Sequence, residues 1–116
     1  MVKRDMRLFA HMLYEYKKGV RKMVMYSCSE DESFYCIEKL NKCGISYLRV
    51  PVSDDKVNIF FGDCFCIRIL ESFGKSKLGD FDEKEDFILG TLLGYDVSKQ
   101  CERYLSRVHP SELTLI

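Results

Sequence analysis

Apolar residues near the start of the chain recur at three- and four-residue spacing, which is the pattern of an amphipathic helix. The set comprises Leu8, Phe9, Met12, Leu13 and Tyr16. Asp5 is a predicted cap for this helix, and Gly19 suits its end. Residues 23–28 then carry apolar side chains on both alternating faces, so we predict a strand that is covered on both sides.

A second helix and a β-hairpin follow this strand. Ser29 and Glu32 have the spacing of a capping box, and Gly44 is typical of a helix end. Residues 45–52 and 56–61 predict two strands joined by a polar turn. Because a crossover helix separates the first two strands, we expect them to run parallel, with the third strand between them.

The remaining chain predicts three more helices. Asp63, Asp82 and Asp96 each precede a helical pattern and are predicted caps, with Glu85 completing a capping pattern after Asp82. The element order predicts an α+β fold with a three-stranded mixed sheet, about five helices and a partial ferredoxin-like βαββα pattern. Since 116 residues suit one domain, we expect residues 1–116 to form a single globular domain.

Composition and charge narrow the class of protein. The chain has 18 basic and 18 acidic residues, which argues against a strongly basic nucleic-acid binder. Residues 1–25 nevertheless carry seven basic and two acidic side chains, and the remainder carries eleven and sixteen. Solvated surfaces are the favoured interpretation of this asymmetry, and the alternative is electrostatic self-complementarity or docking on a charged partner. With neither a secretory pattern nor an apolar run of about 20 residues, we expect a cytoplasmic protein without a membrane segment.

Six cysteines are present, but the chain has no Cys-x-x-Cys pair, which disfavours zinc-ribbon and thioredoxin chemistry. Cys64 and Cys66 lie near a predicted helix N-terminus, which stabilises thiolates. With Cys101 they are the candidate reactive thiols, although structural thiols are the favoured interpretation. No phosphate-binding loop or nucleophile elbow occurs. The sequence therefore predicts no catalytic residue, metal site or cofactor.

Two surfaces are predicted as candidates for binding a partner or ligand. One lies at the turn into the last helix and comprises Tyr95, Asp96, Lys99, Gln100 and Arg103. The other is a sheet face predicted to combine Tyr47, Arg49, Asn58 and Phe60, which is a candidate surface unless a terminal helix covers it. Gly90 and Gly94 predict close helix packing, and the stripe of the last helix, including Cys101, is expected to face the core. The open edges of a three-stranded sheet motivate a homodimer.

Three segments of the second half, residues 58–62, 85–96 and 100–104, resemble a small bacterial family catalogued as domain of unknown function two-zero-two-three. The resemblance implies three strands, five helices and self-association as a dimer, and it implies no catalytic residue. Some members of the family look like extensions of flavodoxins, which implies a redox setting.

The leading hypothesis is a non-catalytic, cytoplasmic, homodimeric binding or accessory module. The alternative is a redox accessory protein that acts with flavodoxin-like electron carriers through Cys64, Cys66 or Cys101. An enzyme acting on a small anionic ligand ranks last.

Overall fold

A computed structural model describes residues 6–109. The strands are β1 (Met23–Ser29), β2 (Ser46–Ser53) and β3 (Lys56–Gly62). The helices are α1 (Arg7–Lys17), α2 (Glu30–Cys43), α3 (Cys64–Ser72), α4 (Glu83–Leu92) and α5 (Val97–Val108), with a 3₁₀ turn at Leu78–Asp80. The predicted α+β class, three strands and five helices are confirmed within this range. The predicted cap Asp5 lies outside the described residues.

The sheet has the order β1-β3-β2, so the prediction that β3 lies in the centre is confirmed. Both pairings are antiparallel. The prediction of a mixed sheet is therefore wrong. β1 and β2 do run in the same direction, but β3 separates them and they never pair with each other.

Helices cover both faces of the sheet. On one face, α1 and α2 bury a core that includes Phe9, Leu40, Ile59 and Phe61. On the other face, α3 and α4 pack over a second core. That core comprises Met23, Val50, Phe60, Ile67, Leu70, Leu89 and Leu93. β1 contributes alternate side chains to the two cores, which confirms that it is covered on both sides.

Short polar contacts cap the N-termini of α2, α4 and α5 as predicted. The Ser29 hydroxyl accepts a hydrogen bond from the Glu32 amide at 3.2 Å, and Gly44 ends α2 in the left-handed conformation. Asp82 and Glu85 form a reciprocal capping box at the start of α4. Asp96 accepts from the amide of Lys99 at 2.9 Å at the start of α5. These contacts satisfy backbone groups that would otherwise have no partner within the helix.

Asp63 departs from its prediction as a plain helix cap. It occupies the position before α3, but its side chain accepts no hydrogen bond from the α3 backbone. Its carboxylate instead accepts the hydroxyl of Tyr16 at 3.0 Å. The residue therefore ties α1 to the start of α3, because a tertiary partner has displaced the local one.

Within residues 6–109, no helix has both the length and the apolar character required to cross a lipid bilayer.

Candidate functional site

The α4–α5 hairpin depends on a glycine. Gly90 lies on α4 beneath α5, and the side-chain amide of Gln100 occupies the space that a Cβ at this position would fill. The predicted close packing at Gly90 is thus confirmed. Gln100 is only 7% exposed, so its predicted place on a partner surface is wrong. The absent Cβ allows a long polar side chain to be buried between the two helices.

An open apolar groove runs along the outside of this hairpin. Its volume is about 450 Å³, and Lys84 stands at its margin. The apolar side chains that line it are Phe87, Ile88, Cys101, Tyr104 and Leu105. The rings of Phe87 and Tyr104 pack with their centroids 5.8 Å apart and their planes tilted by 60°. We refer to this feature as the α4–α5 groove.

The groove overturns the prediction that the stripe of α5 faces the core. Val97 and Leu105 are exposed, and Cys101 and Tyr104 are half-buried. Gln100 is the one fully buried residue of α5. A signal for this arrangement was present in α4, which is apolar on more than one side and would be expected to need a cover on each. The pattern of α5 alone does not distinguish a core contact from an open surface.

Within the described part of the chain, some charged side chains near the groove have an ion-pair partner, and others do not. Arg107 donates to the carboxylate of Asp86 at 2.8 Å and joins the end of α5 to the start of α4. Lys84 on α4 and Glu102 on α5 have no ion-pair partner among residues 6–109. Lys84 is among the residues that line the groove, and Glu102 lies three residues before Leu105 on α5, so, among the described residues, an unpaired charge of each sign adjoins the apolar strip.

The predicted surface at the start of α5 is largely exposed. Tyr95 is half exposed at the turn between the helices, while the side chains of Lys99 and Arg103 are exposed. The carboxylate of Asp96 is occupied as the helix cap. A small cleft of about 10 Å³ lies beside Arg103, between α4 and α5. The structure keeps four of the five predicted residues at the surface and places Gln100 inside.

The predicted mixed sheet face does not exist, because the hairpin register divides it. Tyr47 lies opposite Phe61 and Arg49 lies opposite Ile59, so these residues share the face covered by α1 and α2. Asn58 and Phe60 point to the other face and are 7% and 1% exposed. A change of one residue in register exchanges the faces of a strand, which is why the prediction failed.

Burial brings together two cysteines that sequence analysis did not pair. Cys28, at the end of β1, and Cys36, on α2, are both buried in the core between the sheet and the first two helices. Burial raises the pKa of Cys28 and raises that of Cys36 to about 12. Such thiols stay protonated and have the character of structural side chains. Only the fold reveals the pair, since the two residues come from different elements.

A polar network adjoins these thiols. The hydroxyl of Tyr26 donates to Glu32 at 3.2 Å, and burial together with this carboxylate raises the pKa of Tyr26. Arg49 lies 3.5 Å from Glu30, and its Nε is buried without a hydrogen-bond partner among the described residues. The network ties β2 to the start of α2.

The candidate thiols Cys64 and Cys66 lie at the start of α3, beside Tyr16 and Asp63. Together they line an open pocket of about 380 Å³. Cys64 is exposed, whereas Cys66 is half-buried and burial raises its pKa. Burial and the hydrogen bond to Asp63 raise the pKa of Tyr16 to about 12. The third candidate, Cys101, lies instead in the α4–α5 groove.

Metal-ligating side chains are dispersed in the described part of the chain. Among residues 6–109, no three His, Cys, Asp or Glu side chains are grouped so that they could hold a metal ion.

The architecture is that of an α+β domain in which two helical layers enclose a three-stranded antiparallel sheet, with a helical hairpin at one side. A family described as "Protein of unknown function (DUF2023)" matches residues 7–107, and the chain belongs to this family. The resemblance inferred from the second half of the sequence is thereby confirmed. No curated protein matches the chain.

Proposed function

We propose that this protein is a non-catalytic, homodimeric binding or accessory module of the cytoplasm. The observation that carries the proposal is the α4–α5 groove, where apolar side chains of two helices form one continuous open strip. Exposed apolar strips of this kind mark surfaces at which another macromolecule binds. The core of the chain stabilises α5 only weakly, because the apolar stripe of α5 is not buried in that core.

The polar side chains near the groove and near the start of α3 support binding rather than catalysis. Asp63 holds the hydroxyl of Tyr16, Asp96 caps α5, and Asp86 holds Arg107. Each carboxylate already has a structural partner. These contacts hold the helices in position. Helices held in this way present a surface of fixed shape to a partner.

The oligomeric state tests this proposal. Sedimentation velocity over an approximately hundredfold range of concentration should show the mass rising from one 13.6 kDa chain towards two. A species that stays monomeric at the highest concentration would contradict the homodimer. Measurement at two salt concentrations is the control, because an apolar interface persists where non-specific charge pairing is screened.

A redox accessory protein that docks with flavodoxin-like electron carriers is the second candidate. Cys64 supports it, because this thiol is exposed at the open pocket beside Cys66. Replacing Cys64, Cys66 and Cys101 together with serine should then slow the reduction of a flavodoxin-like partner. An unchanged rate would remove this candidate, and a flavin or iron–sulfur absorption band in protein purified without oxygen would favour it.

A further inference from the structure

We infer that a second copy of this chain covers the α4–α5 groove, so that two hairpins form a four-helix bundle around a two-fold axis. The inference rests on the proposed homodimer and assigns its interface. A hairpin supplies two helices with a shared apolar strip, and a two-fold rotation supplies the other two. The groove residues would then form the core of the bundle.

The two sides of α4 show why the hairpin requires a cover. Leu89 and Leu93 face the sheet and belong to its second core. Phe87 and Ile88 line the groove on the outside, where Leu105 of α5 is 38% exposed. A helix that is apolar on opposite sides is stable when both sides are buried. Within residues 6–109 the chain buries the first side and leaves Phe87 and Ile88 on the second side half-buried.

Charges at the margins of the groove indicate that the surface bound there is the same groove of a second copy, related by a 180° rotation. Gln100 and Arg107 face α4, through Gly90 and Asp86. Glu102 therefore lies on the margin of α5 that is remote from α4, while Lys84 lies on the α4 margin. A two-fold axis through the strip brings Lys84 of each copy opposite Glu102 of the other. The two-fold axis repeats this contact, so the dimer contains two Lys84–Glu102 charge pairs.

The β2 edge of the sheet is a poorer interface than the hairpin. Edge strand β2 contains Pro51, which has no amide hydrogen to donate to another strand. The pairing with β3 is also irregular between Pro51 and Ser53. Proline and bulges are features by which edge strands avoid pairing with further chains. These features argue against the β2 edge, and the apolar strip with its adjoining charges favours the α4–α5 groove as the interface.

Leu105→Glu tests the assignment, because it places a charge in the centre of the strip. We expect it to raise the dimer dissociation constant by about 30-fold or more, as the loss of a buried interface residue does. Phe65→Glu on α3 is the matched control, since Phe65 is 72% exposed and lies outside the groove. Circular dichroism at a concentration that gives only monomer should show both variants folded.

The outcomes separate the inference from the function on which it rests. A wild-type chain that remains monomeric removes the proposed homodimer. A dimer that survives Leu105→Glu overturns the groove as its interface and leaves the homodimer standing. Dissociation by Leu105→Glu but not by Phe65→Glu supports both statements.

Charge reversal tests the two-fold arrangement. Lys84→Glu and Glu102→Lys should each weaken the dimer about threefold to tenfold, because each removes two exposed charge pairs and creates two repulsions. The double variant should return to within about twofold of wild type. A double variant as weak as the sum of the single variants would overturn this pairing.

Cys101 provides a readout that needs no substitution. Its alkylation should slow as the protein concentration rises into the dimeric range, because the thiol lies in the groove. Alkylation of Cys64, which is exposed outside the groove, should keep a constant rate. Equal behaviour of the two thiols would place the interface elsewhere.

Discussion

The sheet with helices α1, α2 and α3 and the α4–α5 hairpin both contain helices with apolar stripes, but the stripes are covered to different degrees. In the first region, most apolar residues of the stripes on α1, α2 and α3 meet the faces of the sheet and are buried, although Leu8 on α1 is 55% exposed. In the hairpin, the stripe of α5 meets α4 at one margin only and stays open along its length. An apolar stripe therefore specifies that a surface must be covered, and the topology decides whether the same chain provides the cover.

The largest difference between the two regions should appear when one apolar side chain is truncated in each. Phe61 is fully buried and packs on the rings of Phe9 and Tyr16 at 5.6 and 6.3 Å. Phe61→Ala should lower the free energy of unfolding by about 3–5 kcal/mol. Leu105→Ala should lower that of the monomer by less than about 1 kcal/mol, since the side chain is exposed.

Urea unfolding at a concentration below dimer formation measures both values on the same state. Similar losses for the two variants would contradict the division into a closed region and an open one. If the loss for Leu105→Ala grows as the concentration rises, the added part belongs to the interface.

Local rules account for the part of the fold that could be predicted. Ser29, Gly44, Asp82 and Asp96 act within four residues of their own positions, so the sequence window contains all that determines them. The central place of β3 also follows from local information, because a hairpin after a crossover leaves few arrangements of three strands.

The errors arose where a partner comes from a distant part of the chain. Asp63 has the local environment of a cap, but the hydroxyl of Tyr16 competes for it across 47 positions. Whether Tyr47 shares a face with Phe61 or Phe60 depends on a register that the strand pattern leaves open. The open groove exists because Gln100 packs over Gly90, and this contact fixes the rotation of α5 about its axis relative to α4.

The attachment of α5 to α4 should respond to substitution at Gly90 by a smaller amount. Gly90→Val places a branched side chain where the amide of Gln100 lies, and we expect a loss of about 1–3 kcal/mol from overpacking. Since the clash is with α5 alone, α5 should become sensitive to limited proteolysis while the core around Phe61 stays intact.

A second substitution isolates the cause of this loss. Gly90→Val combined with Gln100→Ala should recover part of the stability, because the shorter side chain vacates the contested space. Additive losses in the double variant would show that the clash with Gln100 is not the cause of the loss in Gly90→Val.

The smallest effect concerns the link from α1 to α3. Tyr16→Phe removes the hydrogen bond to Asp63 and should cost about 1 kcal/mol near neutral pH. Tyr14→Phe is the control, because Tyr14 is exposed on the same helix and has no such carboxylate partner. Urea unfolding of both variants beside wild type measures the cost.

The loss of unfolding free energy caused by Tyr16→Phe should depend on pH, and the raised pKa of the Tyr16 phenol sets the direction. The pKa of Tyr16 is raised from 10.0 to about 12 by burial and by the bond to Asp63, so the fold favours the protonated hydroxyl. Its contribution to stability is therefore complete below pH 10 and is lost as the pH rises from 10 to 12. Phenylalanine has no proton to lose, so the difference between wild type and Tyr16→Phe should shrink over that interval. A difference that stayed constant through it would show that folding does not raise the pKa of the Tyr16 phenol, against both its burial and its hydrogen bond to Asp63.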